Sequence, residues 1–115
     1  MQLYAWDHVR EEPLSPSLTR QAIHGEKLTL ARFHLRKGCV APLHSHVHEQ
    51  CCIVQSGRLH FIVGEEEAML QAGDMLMIPP NVPHTVEALE ESIALDIFSP
   101  AREDWQQGND AYLRR

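Results

Sequence analysis

The sequence predicts an all-β fold, a sandwich or barrel built from short strands. Helix signals are scarce, and short apolar or alternating runs follow one another closely along the 115 residues. Gly, Pro, Asn and acidic residues separate these runs, as turns separate the strands of such folds. A chain of this length with 43% hydrophobic residues is expected to form a single domain, residues 1–115.

Seven runs are predicted to be strands, and the turns between them have the residue types that turns favour. In chain order the predicted strands are 27–36, 50–56, 58–64, 68–71, 75–79, 84–89 and 92–99. The segments SGR, GEEE, AGD and PPNVP are predicted to be turns. Residues 1–20 are expected to form an N-terminal arm with a short strand. Residues 100–115 are expected to form a polar C-terminal tail, with a helical turn or partial disorder.

Charge and cysteine content limit the classes of partner. The formal net charge is −6 without a Lys/Arg cluster, which argues against nucleic acid or an anionic membrane as partner. A small anionic molecule stays compatible with this charge, because one or two arginines in a pocket can bind a carboxylate. Arg20 is expected to be a surface charge. No apolar run reaches the length of a membrane span and no secretory signal is evident, so a soluble cytoplasmic protein without disulfides is expected.

The stretch PLHSHVHEQCCIVQSG carries the most informative pattern. His44, His46, His48 and Gln50 fall at every second position, so they would share one face of a regular strand. Neutral imidazole suits divalent transition metals, and a carboxamide oxygen is a weaker neutral ligand. His84 follows a turn, from which it could close a metal site from another strand. This spacing selects candidates for a metal site without deciding which of them bind.

The region of these histidines resembles the first motif of the cupin family. The motif residues are Gly38, His44, His46, Gln50 and Gly57, separated by five, one, three and six residues. Cupins usually have Glu at the position of Gln50.

A second pattern resembles the second cupin motif. Gly73 is followed after five residues by Pro79, and then by His84. Cupins usually have Gly where this chain has Asn81, and both residues tolerate a positive φ in a turn. The Asn that ends this motif in the family is replaced by Ala88.

The resemblance implies a double-stranded β-helix barrel, which is jelly-roll-like, with a metal inside. It implies His44, His46, Gln50 and His84 as the metal ligands and leaves out His48. The metal would be a divalent transition metal, whether Ni, Zn, Mn, Fe, Co or Cu. Because this ligand set has no negative charge, the metal would keep its full charge and attract an anionic or carbonyl-bearing substrate.

The stretch ALDIFSPARED contains the candidate catalytic residues. Asp96 and Phe98 share one face of the predicted strand 92–99. An unpaired buried carboxylate is costly, and a cationic metal pocket would compensate for it, so Asp96 is a candidate general acid/base. Arg102 follows the strand and suits a substrate carboxylate, while Phe98 would pack on a sugar ring or narrow the pocket. In the alternative interpretation, Asp96 points to solvent and Arg102 is a surface charge.

Four segments, HSHVHEQ, GRL, IPPNVPH and FSPARED, together resemble a subgroup of small cupins that acts on unsaturated uronates from pectin or alginate. That subgroup has the same metal ligands, and an Asp, a Phe and an Arg spaced like Asp96, Phe98 and Arg102. The resemblance implies a non-redox enzyme that opens the cyclic unsaturated uronate to a linear deoxy keto-uronate. The alternatives are an iron-dependent cupin dioxygenase and a non-catalytic cupin that binds or senses a small acid.

The other face of the last predicted strand suggests a homodimer. Ile93, Leu95 and Ile97 form this face, and it is apolar although the opposite face would line the pocket. A two-fold homodimer would cover it.

Met75 and Met77 are expected to belong to the core or to the pocket wall.

Overall fold

The computed structural model describes all 115 residues, and its regular secondary structure is almost entirely β. Ten strands follow the chain: β1 (Glu12–Ser15), β2 (Leu18–His24), β3 (Thr29–Leu35), β4 (Val40–His44), β5 (Glu49–Ser56), β6 (Arg58–Val63), β7 (Glu66–Gln71), β8 (Met75–Ile78), β9 (His84–Ala88) and β10 (Ser92–Ser99). One α-helix, α1 (Glu103–Gln106), and 3₁₀ turns at Trp6–His8 and Ala111–Leu113 complete the structure. The predicted all-β fold class is confirmed.

The strands form two antiparallel sheets. The first has six strands in the order β1-β2-β3-β10-β5-β8, and the second has four in the order β4-β9-β6-β7. The last strand, β10, lies inside the first sheet because it pairs with both β3 and β5. Burial alternates along β3 and β10, so each strand turns one face to the interior. This central position of β10 brings Asp96 and Phe98 into the middle of the molecule.

The interior is a single apolar cluster with a polar minority. Eighteen buried hydrophobic residues form the cluster, most of them from the two sheets, such as Phe33 on β3 and Phe61 on β6. The buried polar residues include Gln50, His84 and Asp96. Buried polar groups are costly without partners, so this concentration indicates a site rather than ordinary core.

Two strands, β2 and β4, lie outside the predicted set. β4 contains Pro42, which lacks a backbone N–H and therefore argues against a central strand. The structure places β4 at the edge of its sheet, where such a residue is tolerated. Residues 1–20, expected to be an arm, include β1 and the beginning of β2. The arm is attached through Gln21, whose Nε2 donates to the carbonyl oxygen of Trp6 at 2.7 Å.

Two turns of the cupin-like patterns depend on an unusual backbone conformation. Asn81 has a φ of 65°, so it takes the left-handed conformation for which the family usually has Gly. Gly57 has a φ of 86°, and a Cβ at this position would collide with Glu91 and Ser92. Gly57 is therefore required both by its φ and by the close approach of the chain that leads into β10.

The C-terminal segment is ordered and packs against the sheets. Trp105 and Leu113 are buried, and Asp110 accepts a hydrogen bond from Arg20 Nη2 at 2.8 Å. The expectation that Arg20 is a surface charge is wrong, because this pairing buries it to 3% exposure. Its partner Asp110 lies 90 residues further along the chain, so the contact depends on the complete fold.

The strand β8 turns its methionines outward. Met75 and Met77 are 69% and 58% exposed, whereas Ile78 is fully buried. The expectation that the two methionines belong to the core or pocket wall is wrong, because the alternation along β8 directs Ile78 inward instead.

No helix in the structure has the length and apolar character needed to cross a membrane. The cytoplasmic location stays a prediction.

Candidate functional site

Three histidines converge where the two sheets meet the loop after β4. His44 ends β4 and pairs across strands with His84, the first residue of β9. Their ring centroids are 4.2 Å apart, and His46 reaches the same place from the loop. One ligand nitrogen from each of the three lies within 4.8 Å of the others. The three imidazoles can therefore bind a single metal ion.

The segment from His44 to Gln50 is not one regular strand. β4 ends at His44 and β5 begins at Glu49, so equal parity does not decide which side chains share a face. His46 joins the histidine cluster, whereas His48 lies outside it. The Nε2 of His48 is 4.0 Å from Asp104 Oδ1, near the C-terminal segment.

The three clustered histidines are oriented by the backbone. Each Nδ1 faces a carbonyl oxygen two residues away: Pro42 for His44 (2.6 Å), His48 for His46 (3.1 Å) and Val82 for His84 (2.8 Å). A neutral imidazole that donates from Nδ1 leaves a lone pair on Nε2. Metal-binding histidines are usually held in this way, since the Nδ1 contact fixes the tautomer and the ring orientation.

Burial keeps these histidines neutral. It lowers the pKa of His44 and of His46 to about 4, and it also lowers the pKa of His84. Protons therefore do not compete for the Nε2 lone pairs near pH 7. The Nε2 of His84 is buried without a hydrogen-bond partner, a costly state that a bound cation would relieve.

Gln50 adds a fourth donor to the cluster. It is buried at the beginning of β5, and its Oε1 lies 3.1 Å from Nε2 of His46. Both nitrogens of His46 thus face oxygen acceptors, although a neutral ring has only one N–H. With the proton on Nδ1, the lone pairs of His46 Nε2 and Gln50 Oε1 face each other and repel. A cation bound to both atoms would remove this repulsion. The donor set therefore fits a divalent transition metal.

Asp96 faces the interior, so the alternative of a solvent-exposed carboxylate does not hold. It is 7% exposed on β10, paired across strands with Cys52, and its Oδ1 has no hydrogen-bond partner. Burial raises the pKa of Asp96 to about 6, while hydrogen bonds from Cys52 and Gln50 and the charge of Arg102 limit the rise. A carboxyl group with this pKa can exchange protons near neutral pH.

Arg102 and Phe98 are buried together, so Arg102 is not a surface charge. Arg102 is 1% exposed, and it donates from Nε and Nη2 to Asp104 at 3.0 and 2.9 Å. Its guanidinium carbon lies 4.7 Å from the Phe98 ring centroid and 4.1 Å from that of Trp105. The aromatic rings thus fix the plane of the guanidinium, as in cation–π pairs.

One cavity of about 60 Å³ joins these groups. Its lining includes His44, Gln50, His84, Asp96, Phe98 and Arg102. A volume of this size holds roughly four water molecules. His46 does not belong to the cavity lining, although it belongs to the histidine cluster.

The cavity wall also contains residues that sequence reasoning missed. Trp105, Tyr112 and Leu113 come from the segment expected to be a polar tail. The available signal was the presence of two aromatic residues, Trp105 and Tyr112, in an otherwise polar segment. Aromatic residues of this size are usually buried, which is a reason to expect packing rather than disorder.

Comparisons with known proteins agree with the fold. Residues 31–98 match the family model described as "Cupin domain". The pectin degradation protein KdgF of Dickeya dadantii is 32% identical over 102 residues, which cover 86% of this chain and 93% of that protein. An RmlC-like cupin from Shewanella frigidimarina superposes with a TM-score of 0.86 at 30% identity, covering 91% of this chain and 96% of that one. KdgF from Halomonas sp. gives a TM-score of 0.84 at 27% identity, covering 90% and 99%.

Proposed function

The chain belongs to the cupin family, and from this premise we propose that it is a metal-dependent enzyme acting on an unsaturated uronate. The reaction opens the cyclic monosaccharide, as released from pectin or alginate, to a linear deoxy keto-uronate. The 32% identity with a protein named for pectin degradation supports the substrate class.

The proposal rests on the arrangement of side chains in one cavity. A buried carboxylate, Asp96, lines the same cavity as His44, His84 and Arg102. The cavity thus combines a group that can move a proton, imidazoles that can hold a metal, and a cation that can attract a substrate carboxylate. These are the groups that an isomerisation of a sugar acid needs.

The metal ligands in this proposal are His44, His46, Gln50 and His84. A bound divalent cation supplies a Lewis acid that holds substrate oxygens and stabilises oxyanion charge. Ni, Zn, Mn, Fe, Co and Cu all accept such nitrogen and oxygen donors.

The proposed reaction is an isomerisation with no redox step. The anomeric hydroxyl loses a proton, the ring C–O bond at the anomeric carbon breaks, and an aldehyde forms there. The enolate released by this cleavage gains a proton on carbon and becomes a ketone, so atoms, charge and electrons balance. Asp96 takes the first proton and delivers the second. Arg102 binds the substrate carboxylate and Phe98 packs against the ring, which holds the reacting atoms near Asp96.

A turnover assay tests this function. Protein loaded with a divalent metal is mixed with the unsaturated uronate from a lyase digest, and the ultraviolet absorbance of its conjugated double bond is followed. We expect the absorbance to fall faster than in the spontaneous reaction, and a chelator to abolish the difference. A rate equal to the spontaneous one, with metal bound and the fold intact, would contradict the proposal. Oxygen consumption by the iron-loaded protein would instead support a dioxygenase, and acid binding without turnover would support a sensor.

We also propose that two copies of the chain form a homodimer through the outer face of the six-stranded sheet. Five side chains form one cross-strand row on this face: Ile23, Leu30, Ile97, Cys51 and Met77. None of the five is fully buried within one chain, although all are apolar. A two-fold axis would pack this row against its own copy.

Sedimentation of a surface variant tests the dimer. Met77→Glu places a charge in the row, so we expect the protein to become monomeric at micromolar concentration. Met69→Glu is the matched control, because Met69 is 50% exposed on β7 in the other sheet. A wild-type protein that sediments as a monomer would contradict the proposed interface.

A further inference from the structure

The C-terminal segment brings Tyr112 to the cavity beside the histidine cluster. The Tyr112 ring centroid lies 4.6 Å from that of His44, with the planes tilted by 31°. Tyr112 also lines the cavity, although it lies beyond residues 31–98, the part that matches the family model. Its contribution to the cavity therefore comes from the C-terminal segment, outside the part of the chain that matches the family model.

The hydroxyl of Tyr112 acts as an acceptor in two hydrogen bonds. Arg102 Nη2 donates to it at 3.1 Å and Trp105 Nε1 at 3.4 Å. Arginine and the tryptophan indole have N–H donors and no acceptor, so Tyr112 must accept in both contacts. These bonds occupy the lone pairs of the phenol oxygen. The O–H hydrogen remains available to an acceptor inside the cavity.

The guanidinium of Arg102 is also only partly used. Its Nε and Nη2 bond to Asp104, and Nη2 is shared with Tyr112. The remaining nitrogen, Nη1, is left for another acceptor. The free donors of Arg102 and Tyr112 therefore belong to two groups that are already joined by a hydrogen bond. Two neighbouring donors suit the two oxygens of a carboxylate.

A buried ion pair holds Tyr112 in this position. Asp110, two residues earlier, accepts from Arg20 Nη2 at 2.8 Å, and the two side chains are 2% and 3% exposed. Arg114 Nε also donates to Asp110, at 2.9 Å. These contacts attach the C-terminal segment to β2. The donor on Tyr112 is thus preorganised before any ligand arrives.

We propose that Tyr112 determines specificity for an acidic ligand by donating its O–H hydrogen bond to an anionic oxygen of that ligand, next to Arg102. This inference rests on the proposed function for the ligand class, a uronate. It assigns a ligand-binding role to the C-terminal segment.

Tyr112→Phe tests this role, because it removes the O–H and keeps the ring over His44. Calorimetry on the metal-loaded protein compares the binding of galacturonate, a stable saturated uronate, with the binding of its neutral methyl ester. We expect the Kd for galacturonate to rise about tenfold and the Kd for the ester to stay the same. Tyr4→Phe is the matched control, because Tyr4 is 51% exposed and its hydroxyl bonds only to Gln2. Unchanged galacturonate binding in Tyr112→Phe would overturn the inference.

A fluorinated phenol separates direct donation from an effect through Arg102. Introducing 3-fluorotyrosine at position 112 makes the hydroxyl a stronger donor and a weaker acceptor. At mildly acidic pH, we expect galacturonate to bind at least as tightly as it does to wild type. Weaker binding, as in Tyr112→Phe, would mean that Tyr112 acts only by holding Arg102, and the inference would be wrong.

The inference and the proposed function can fail separately. If the wild type has no turnover but Tyr112→Phe still weakens galacturonate binding tenfold, ring opening is overturned and the role of Tyr112 is supported. If the wild type has full turnover but Tyr112→Phe binds galacturonate as tightly as the wild type does, ring opening is supported and the role of Tyr112 is overturned. If the metal-loaded wild type binds no galacturonate, the role of Tyr112 is overturned whatever the turnover.

Discussion

Replacing the buried carboxylate of Asp96 with an amide is expected to change activity and stability in opposite directions. Asp96→Asn keeps the shape of the side chain but cannot take up or release a proton. A positioned acid/base group contributes about 10²- to 10⁴-fold to a rate. We therefore expect the turnover of the metal-loaded variant to fall by about that factor at pH 7, with the metal still bound.

The expected gain in stability follows from the pKa of Asp96. Burial raises this pKa from 3.8 to about 6, and a shift of roughly two units corresponds to about 3 kcal/mol. The folded pKa lies above the unfolded one. The destabilising contribution of the ionised carboxylate is therefore fully present above pH 6 and absent below the unfolded pKa. Asparagine carries no charge. The free energy of unfolding of the metal-free variant should exceed that of wild type by about 3 kcal/mol at pH 8, and by little at acidic pH.

Urea unfolding of the metal-free proteins at both pH values, together with turnover of the metal-loaded proteins, checks both changes. Asp7→Asn is the control, because Asp7 is exposed and its replacement should alter stability by less than about 0.5 kcal/mol. Full activity of Asp96→Asn would refute the proton-transfer role. A variant that loses activity and stability together would refute the reasoning from burial.

Two further changes probe the metal site and the C-terminal segment. His84→Ala should lower metal affinity by more than about tenfold in a calorimetric titration, whereas His48→Ala, outside the cluster, should retain it; equal losses would contradict the ligand assignment. Asp110→Asn should lower the free energy of unfolding by about 2 kcal/mol at pH 7, because the buried Arg20 loses one of its two carboxylate partners and keeps only Glu12. Hydrogen bonds from Arg114 and Arg20 hold the pKa of Asp110 below its usual value, so this difference should be full above the unfolded pKa. It should disappear as the pH falls through the folded pKa, and urea titrations from pH 7 to acidic pH would measure it.

Strands with regular alternation could be predicted from the sequence because burial follows the same period. β10 is an example: its predicted bounds, 92–99, are those of the structure, and Asp96 and Phe98 share the inward face. β4 could not be predicted, because Pro42 obscures a strand that is tolerated only at a sheet edge. His44 faces His84 because β4 pairs with β9, and no local pattern encodes this non-local pairing.

The cavity wall shows a second limit of sequence reasoning. Arginine is usually found at the surface, and the burial of Arg20 depends on its ion pair with Asp110 at the far end of the chain. Tyr112 lies in a segment without periodicity, so neither its fold nor its position beside His44 could be derived from spacing. Such contacts appear only when the whole chain has folded, since they join elements far apart in sequence.

The most direct test of the central claim is to follow the proton that Asp96 is proposed to deliver. The metal-loaded protein is mixed with the unsaturated uronate in heavy water, and NMR at early times locates deuterium on the carbon that becomes a methylene. A side chain fixed on one wall of a cavity should deliver deuterium to one face, giving a single stereoisomer, whereas the spontaneous reaction gives both. A mixture of stereoisomers formed at the enzymatic rate would contradict delivery by Asp96. Formation of an oxidised product would contradict the proposed isomerisation altogether.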